Sequence, residues 1–287
     1  MKANDKGIII RVNKNLYTVS LDTEVFDCRE SGKLLYKNVK PTVGDYVLFD
    51  KENKIINEIL PRKNSLIRPL ISNIDKLFIM TSVKKPDFSS FLLDKLILIA
   101  LSNKIEPIII FTKEDLLSFR NRLIINKYKK YYKKLGFKVY SNRELNKIKR
   151  EFNNSVVSLT GQTGAGKSTL LNKLDASLEL KTNEISEALG RGKHTTRHVE
   201  IIDMLGGSIL DTPGFSALEF PNMMQIEIRD AFIEFKDCPC PYRDCMHIKE
   251  NDCNVKKAVS DGKIADFRYQ NYLDLVKTGT NEAYKRR

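Results

Sequence analysis

A glycine-rich loop of the form G-x-x-x-x-G-K-S occupies Gly161-Gln162-Thr163-Gly164-Ala165-Gly166-Lys167-Ser168, and it lies in the second half of the chain. An apolar run, Ser155 to Leu159, precedes it, and a helical run from Lys167 to Lys173 follows. In that context backbone N–H groups and a helix N-terminus cradle phosphates. Lys167 is placed to reach the β- and γ-phosphates, and the Ser168 hydroxyl to take a Mg²⁺ position beside Thr169. The loop's usual companions are present in a changed order. Thr112-Lys113-Glu114-Asp115 comes before it and Asp211-Thr212-Pro213-Gly214 after it, whereas a phosphate loop ordinarily leads. A circular permutation of the domain explains this order. It also explains why the chain runs straight from the second switch into a cysteine cluster.

Each companion has its own chemistry. The Asp115 carboxylate can accept from both N1–H and N2–H₂ of guanine, a donor pair that adenine lacks. The usual tetrapeptide begins with Asn, and Thr112 offers fewer hydrogen-bonding groups. Taken alone, Thr112 to Asp115 also reads as a helix N-cap followed by two acids. A second base-contacting loop is expected near Ser141-Asn142. Asp211 supplies a metal-side carboxylate, and the Gly214 N–H can sense a γ-phosphate. Gly190 to Arg197 reads as a first switch whose two glycines free it to move, with Thr196 rather than Thr195 completing the Mg²⁺ shell when the γ-phosphate is present. Phe215 stands where many such proteins carry a water-orienting glutamine. His194 is the nearest replacement, and it reads equally well as a contact to RNA phosphates.

Four of the five cysteines lie in one stretch with His247. Cys240, Cys245, His247 and Cys253 have the spacing C-x₄-C-x-H-x₅-C, which suits a closed, structural zinc site. Cys238 is a spare that could replace Cys240. A redox pair is the alternative, but nothing in the sequence motivates it.

Residues 1–66 read as short strands separated by turns: Gly7 to Val12, Leu16 to Val19, Val25 to Cys28 and Tyr46 to Phe49. An OB-type barrel is the expectation, binding RNA or serving only for packing. Residues 67–222 alternate strand and helix, which implies a parallel sheet with helices on both faces and every motif just after a strand. Residues 223–287 lose the strands and hold the cysteines and a helical tail from about Asn254. The expected fold class is therefore α/β: a circularly permuted P-loop GTPase domain between an OB-type barrel and a zinc-binding α-helical domain.

The chain has 287 residues, 41% of them hydrophobic, and a net charge of +13. No run approaches the roughly 18 apolar residues of a membrane span, and no signal peptide is evident. A cytoplasmic protein is expected. The charge reflects either a Lys- and Asn-rich composition or a polyanion partner. No coiled coil is evident, and a monomer is expected.

Together these motifs resemble the small-ribosomal-subunit-dependent GTPase A family, the circularly permuted GTPases of late 30S assembly. The resemblance rests on Lys113 to Asp115, Gly161 to Thr169, Gly192 to Thr196, Asp211 to Gly214, the zinc set, and Lys40-Pro41-Thr42-Val43-Gly44-Asp45 of the barrel. It implies GTP hydrolysis stimulated by the small (30S) subunit, contact with 16S rRNA through the barrel and zinc domains, and a role for His194 in the switch. It covers nearly the full length and departs at Thr112 and Asn142. The rival reading is an RNA-binding protein with a regulatory or adenine-using P-loop.

Overall fold

The computed structural model describes residues 4–36, 39–66, 70–176, 199–211 and 223–280. Five strands form the first unit: β1 (Asp5–Asn13), β2 (Leu16–Leu21), β3 (Glu24–Glu30), β4 (Tyr46–Asp50) and β5 (Ile55–Ile59), with a short helix α1 (Gly32–Tyr36) between β3 and β4. The pairing runs β1-β2-β3-β5-β4 and returns to β1, so the sheet closes. Alternating side chains fill the barrel with Ile9, Tyr17, Val19, Cys28, Val47, Phe49 and Ile56. The β1–β2 turn places Lys14 at φ 56°. The sequence reading missed β5, whose Ile-Ile-Asn-Glu-Ile run is short and half polar.

Asp45 ties the barrel to a small hairpin, β6 (Ser65–Leu66) and β7 (Ile71–Ser72). Asp45 is fully buried, and Arg62 Nε donates to one of its oxygens at 2.8 Å. The Thr42 N–H donates at 2.8 Å and the hydroxyl of Ser72, in β7, at 2.5 Å.

The second unit comprises β8 (Lys76–Ser82), α2 (Ser90–Ser102), β9 (Glu106–Thr112), α3 (Phe119–Lys134), β10 (Lys138–Ser141), α4 (Leu145–Arg150), β11 (Val156–Gly161), α5 (Lys167–Leu174), β12 (Glu200–Met204) and β13 (Gly207–Asp211). Its sheet order is β10-β9-β8-β11-β13-β12. The first five strands are parallel, as the alternation implies. The expectation of a wholly parallel sheet needs one correction. β12, which the sequence reading missed, is antiparallel to β13 because only the two-residue turn at Leu205-Gly206 joins them. β12 also meets β1 at Arg11 and Glu200, so one sheet runs through both units.

β8 and β9 are apolar on both faces, as strands covered on both sides must be. Leu77, Ile79, Ile109 and Phe111 pack against α2 and α3. Phe78, Met80, Ile108 and Ile110 pack against α4 and α5.

The last unit holds α6 (Gln225–Ala231), a 3₁₀ turn at Ile233–Asp237, α7 (Asn254–Ser260) and α8 (Asp266–Thr278). It docks on α2 through a buried polar cluster. Arg268 of α8 donates to Glu234 at 2.7 and 3.1 Å and to Asp94 of α2 at 2.5 Å. The Tyr132 hydroxyl and the Asn271 amide also donate to Asp94, each at 2.6 Å. Burial opposes the charge on Arg268, but Asp94 and Glu234 outweigh it and push its pKa up. An unpaired buried charge costs about 3–5 kcal/mol, so these groups hold the interface as a set. Among the described residues no helix is long and apolar enough to cross a membrane.

Candidate nucleotide and metal sites

The phosphate loop leaves the sheet at the end of β11, beside β8, where the strand order reverses. Open α/β sheets bind ligands at such a switch point. Its three glycines are required by backbone geometry: Gly161, Gly164 and Gly166 have φ of 135°, 76° and 91°. At Gly161 a Cβ would also come within 2.2 Å of the Met80 carbonyl oxygen. Lys167 opens α5 and turns its ammonium back to the Gly161 and Gln162 carbonyls at 2.9 and 3.2 Å. Burial pulls its pKa down to about 8. Ser168 is buried in the first turn of α5, while Thr163, Gly164 and Thr169 are exposed.

The Thr112 tetrapeptide begins at the last residue of β9, the second strand from β11. The Thr112 hydroxyl is buried and donates to the Ala165 carbonyl at 2.7 Å, across 53 residues of sequence. It caps no helix, since the Ser118 hydroxyl caps α3. Lys113 adopts the left-handed conformation at φ 60°, and its ammonium binds the Lys85 carbonyl. Glu114 is held by Lys129 at 2.9 and 3.1 Å. Asp115 is exposed in the 3₁₀ turn Glu114–Leu116.

Ser141 ends β10 in register with Phe111, so the Ser141-Asn142 loop lies beside the Thr112 loop. Its N–H groups are engaged within the protein: Asn142 donates to the Phe111 carbonyl at 2.9 Å and Ser141 to Glu144 at 2.8 Å. Asp211 is the last residue of β13, whose Leu210 pairs with Ser158 of β11. Its backbone therefore emerges next to the strand that feeds the phosphate loop. His194, Thr195, Thr196 and Gly214 lie outside the described residues, as does the rest of 190–197.

In the third unit, the ligand atoms of Cys240, Cys245, His247 and Cys253 all lie within 4.8 Å of one another. The His247 Nδ1 is 3.5, 3.3 and 3.4 Å from the three sulfurs in that order, and Cys240 Sγ is 3.8 Å from Cys253 Sγ. With Zn–S near 2.3 Å and Zn–N near 2.0 Å, a tetrahedron has edges of about 3.5–3.8 Å, so the donor set fits zinc. Cys238 lies outside the set, which leaves Cys240 as the ligand. Groups around the cluster hold its shape. Tyr269 donates to the His247 carbonyl at 2.6 Å, Tyr272 donates to the Met246 carbonyl, and the Lys256 N–H donates to Cys253 Sγ at 3.5 Å.

Sequence reasoning did not foresee two groups at these sites. The Lys85 carbonyl, which holds Lys113, comes from a loop with no motif. Ala165 matters through its carbonyl, and a backbone oxygen leaves no mark on residue type.

Known proteins share this arrangement. The RsgA GTPase family model matches residues 59–221, and the RsgA N-terminal domain model matches residues 6–56. The small ribosomal subunit biogenesis GTPase RsgA of Halalkalibacterium halodurans is 42% identical over 286 residues, covering 95% of this chain and 97% of that protein. Small ribosomal subunit biogenesis GTPase RsgA 2 of Oceanobacillus iheyensis is 44% identical over 281 residues, 94% of this chain and 96% of its own. Among solved structures, YjeQ from Thermotoga maritima superposes with a TM-score of 0.83 at 30% identity, covering 99% of this chain and all of that one. YloQ, described as a circularly permuted GTPase, gives 0.80 at 33% identity, covering 99% and 96%. With the permuted order of the motifs, the closed barrel and the similarity along almost the whole length in agreement, the chain belongs to the RsgA GTPase family.

Proposed function

We propose that this protein is a GTPase that binds the small (30S) ribosomal subunit, assists its late maturation, and hydrolyses GTP to GDP and phosphate when the subunit stimulates it. The ribosomal part of this reading is supported by the relatives, which are small ribosomal subunit biogenesis GTPases; the observation that carries its nucleotide part is the Thr112–Ala165 hydrogen bond. It staples a guanine-reading loop to a phosphate-binding loop, so base identity and phosphate position are sensed by one rigid piece. Thr112 thus supplies a link between the loops in place of the family's asparagine.

Within this reading, the loop N–H groups from Gly161 to Ser168 and the Lys167 ammonium hold the phosphates, and Asp115 reads guanine. The hydroxyls of Ser168 and Thr196 are the Mg²⁺ ligands, with Asp211 on the metal side and Gly214 at the γ-phosphate. Bound Mg²⁺ neutralises charge on the β- and γ-oxygens. His194 positions the attacking water. Zinc, held by Cys240, Cys245, His247 and Cys253, is structural. The division into 1–66, 67–222 and 223–287 follows the barrel core and the cysteine-domain core, although the latter takes in Leu98 of α2 and the β6–β7 pair spans the first boundary. The 16S rRNA is the contacted part of the subunit, and the protein acts in the cytoplasm as a monomer. Because Arg268 fixes the last unit to α2, the γ-phosphate acts on an already docked zinc domain rather than on a free lever.

The test is phosphate release by the purified protein alone, with 30S subunits and with 50S subunits, using GTP and then ATP. Stimulation confined to GTP with 30S is expected. Equal rates with ATP, or indifference to 30S, would overturn the reading.

A pH effect follows from Lys167. Phosphates favour its charged form, so a lysine lowered to about 8 takes up a proton on binding. GTP affinity should fall as pH rises above about 8, approaching tenfold per pH unit, the slope for uptake of one proton. Calorimetry in two buffers of different ionisation enthalpy should find uptake near zero at pH 6.5 and approaching one proton at pH 9.

A further inference from the structure

α3 carries seven cations in sixteen residues, Phe119 to Lys134, and no acid. Solvated helices usually offset such charge with acids three or four residues away, so this helix repels itself. Three of the cations are occupied. Lys129 binds Glu114, Arg122 reaches the Glu114 carbonyl at 3.5 Å, and Lys133 lies near Glu144, whose pKa burial raises but Lys147 and, less strongly, Lys133 bring down. Arg120, Lys127, Lys130 and Lys134 are exposed and have no acidic partner among the described residues.

These four share one face. At 100° per residue they fall within about a quarter turn of one another, on a strip about 21 Å long from Arg120 to Lys134. Phe119 lies at the same face's N-terminal end and is 79% exposed; Leu123 beside it is 51% exposed. On the far side Ile125 and Tyr132 enter the core, and on the flank between, Tyr128 and Tyr131 pack on Phe267 of α8 with ring centroids 4.6 and 5.3 Å apart. The exposed face is therefore a rigid, cationic strip with one aromatic ring at its end.

We propose that this outward face of α3 is an RNA-binding surface of the nucleotide-binding domain itself, with Arg120, Lys127, Lys130 and Lys134 on backbone phosphates and Phe119 stacked on an unpaired base. As a contact to the small subunit, the proposal rests on the function given above. An anionic membrane fits less well, because a surface-lying helix needs an apolar stripe along its length and here the exposed apolar groups cluster at one end. Cations interleaved with an exposed ring match the way single-stranded nucleic acid is held. The helix that carries this surface abuts the guanine loop through Lys129 and Arg122 on its inner side.

The test uses the full-length protein with a non-hydrolysable GTP analogue, titrated against 30S subunits and against a 20-nucleotide oligouridylate over a range of KCl. One variant combines Lys127→Gln, Lys130→Gln and Lys134→Gln, and another is Phe119→Ala. The control combines Lys147→Gln, Arg150→Gln and Lys173→Gln on α4 and α5, across the sheet. Each lost phosphate contact removes about 0.7–0.9 from the salt slope. The triple α3 variant should therefore lose about two to three units of slope and about 10- to 100-fold in affinity. Phe119→Ala should lose about 5- to 150-fold with the slope unchanged. Basal hydrolysis without subunits should not change in either, which shows that they are folded. Wild-type affinity and slope in the α3 variants, or a loss equal to the control's, would overturn the proposal. So would α3-dependent binding to phosphatidylglycerol vesicles without binding to the oligonucleotide. If the wild type fails to bind 30S, the proposed function falls instead, and the oligonucleotide series still decides whether α3 binds RNA.

Discussion

Asp115→Asn is expected to weaken GTP binding by about 100- to 1000-fold while leaving the fold intact. A carboxylate accepting from two donors of one guanine makes two charge-assisted hydrogen bonds, each worth about 1.5–3 kcal/mol. An amide keeps one acceptor and turns the other into a donor that faces the guanine 2-amino group. The same change suits xanthine, whose 2-oxo group accepts, so affinity for XTP should rise as that for GTP falls. Asp115 is exposed in its 3₁₀ turn, so the substitution breaks no core contact. Titrating GTP, XTP and ATP against the variant checks this. Unchanged GTP affinity would mean that the tetrapeptide only shapes the chain ahead of α3. The structure already weakens that alternative, because Thr112 spends its hydroxyl on Ala165 and Ser118 caps the helix.

Loss of a residue proposed to hold zinc should have an equally large effect elsewhere. Between the 3₁₀ turn that ends at Asp237 and α7, which begins at Asn254, the described chain has no helix or strand. Its shape rests on the four converging ligands and on Glu250, which accepts from the Met246, Ile248 and Lys249 N–H groups at 2.7, 2.8 and 3.0 Å. Cys245 and Cys253 are also core residues beside Phe235 and Tyr272. Structural zinc contributes about 10–16 kcal/mol of apparent binding energy in small domains, more than a unit of this size can replace. Cys253→Ser should therefore abolish stoichiometric zinc and unfold the C-terminal unit. GTP affinity should stay within a few fold, because the phosphate loop sits in a separate core. Elemental analysis and limited proteolysis would check both parts. Cys238→Ser should retain one zinc per chain. Full zinc occupancy in Cys253→Ser would remove Cys253 from the site.

Much of this could be read from residue order because the relevant physics is local. Glycines with positive φ, a lysine and a serine at the start of a helix, and cysteines a few residues from a histidine carry their meaning in spacing. β8 and β9 were legible as apolar runs, and β11 as a largely apolar one leading into the glycine-rich loop. β5 and β12 were not, since Ile55–Ile59 and Glu200–Met204 mix polar and apolar residues and are held by neighbours. The Ser141-Asn142 loop could be located by its place after β10, but not the fact that its N–H groups bond inward.

Asp94 marks the boundary between the two kinds of information. In sequence it merely interrupts an apolar stretch. In the fold it is almost fully buried and receives Arg268 from 174 residues away. The sequence alone determined the class of nucleotide site, the permuted order, the barrel and the cluster of three cysteines and a histidine, because each is a short pattern with its own chemistry. Only the tertiary structure decided that Thr112 joins the two loops, that β12 splices the barrel to the central sheet, and that Arg268 locks the cysteine-bearing domain to α2. Those contacts join residues far apart in the chain, and their energy exists only once packing has excluded water from between them.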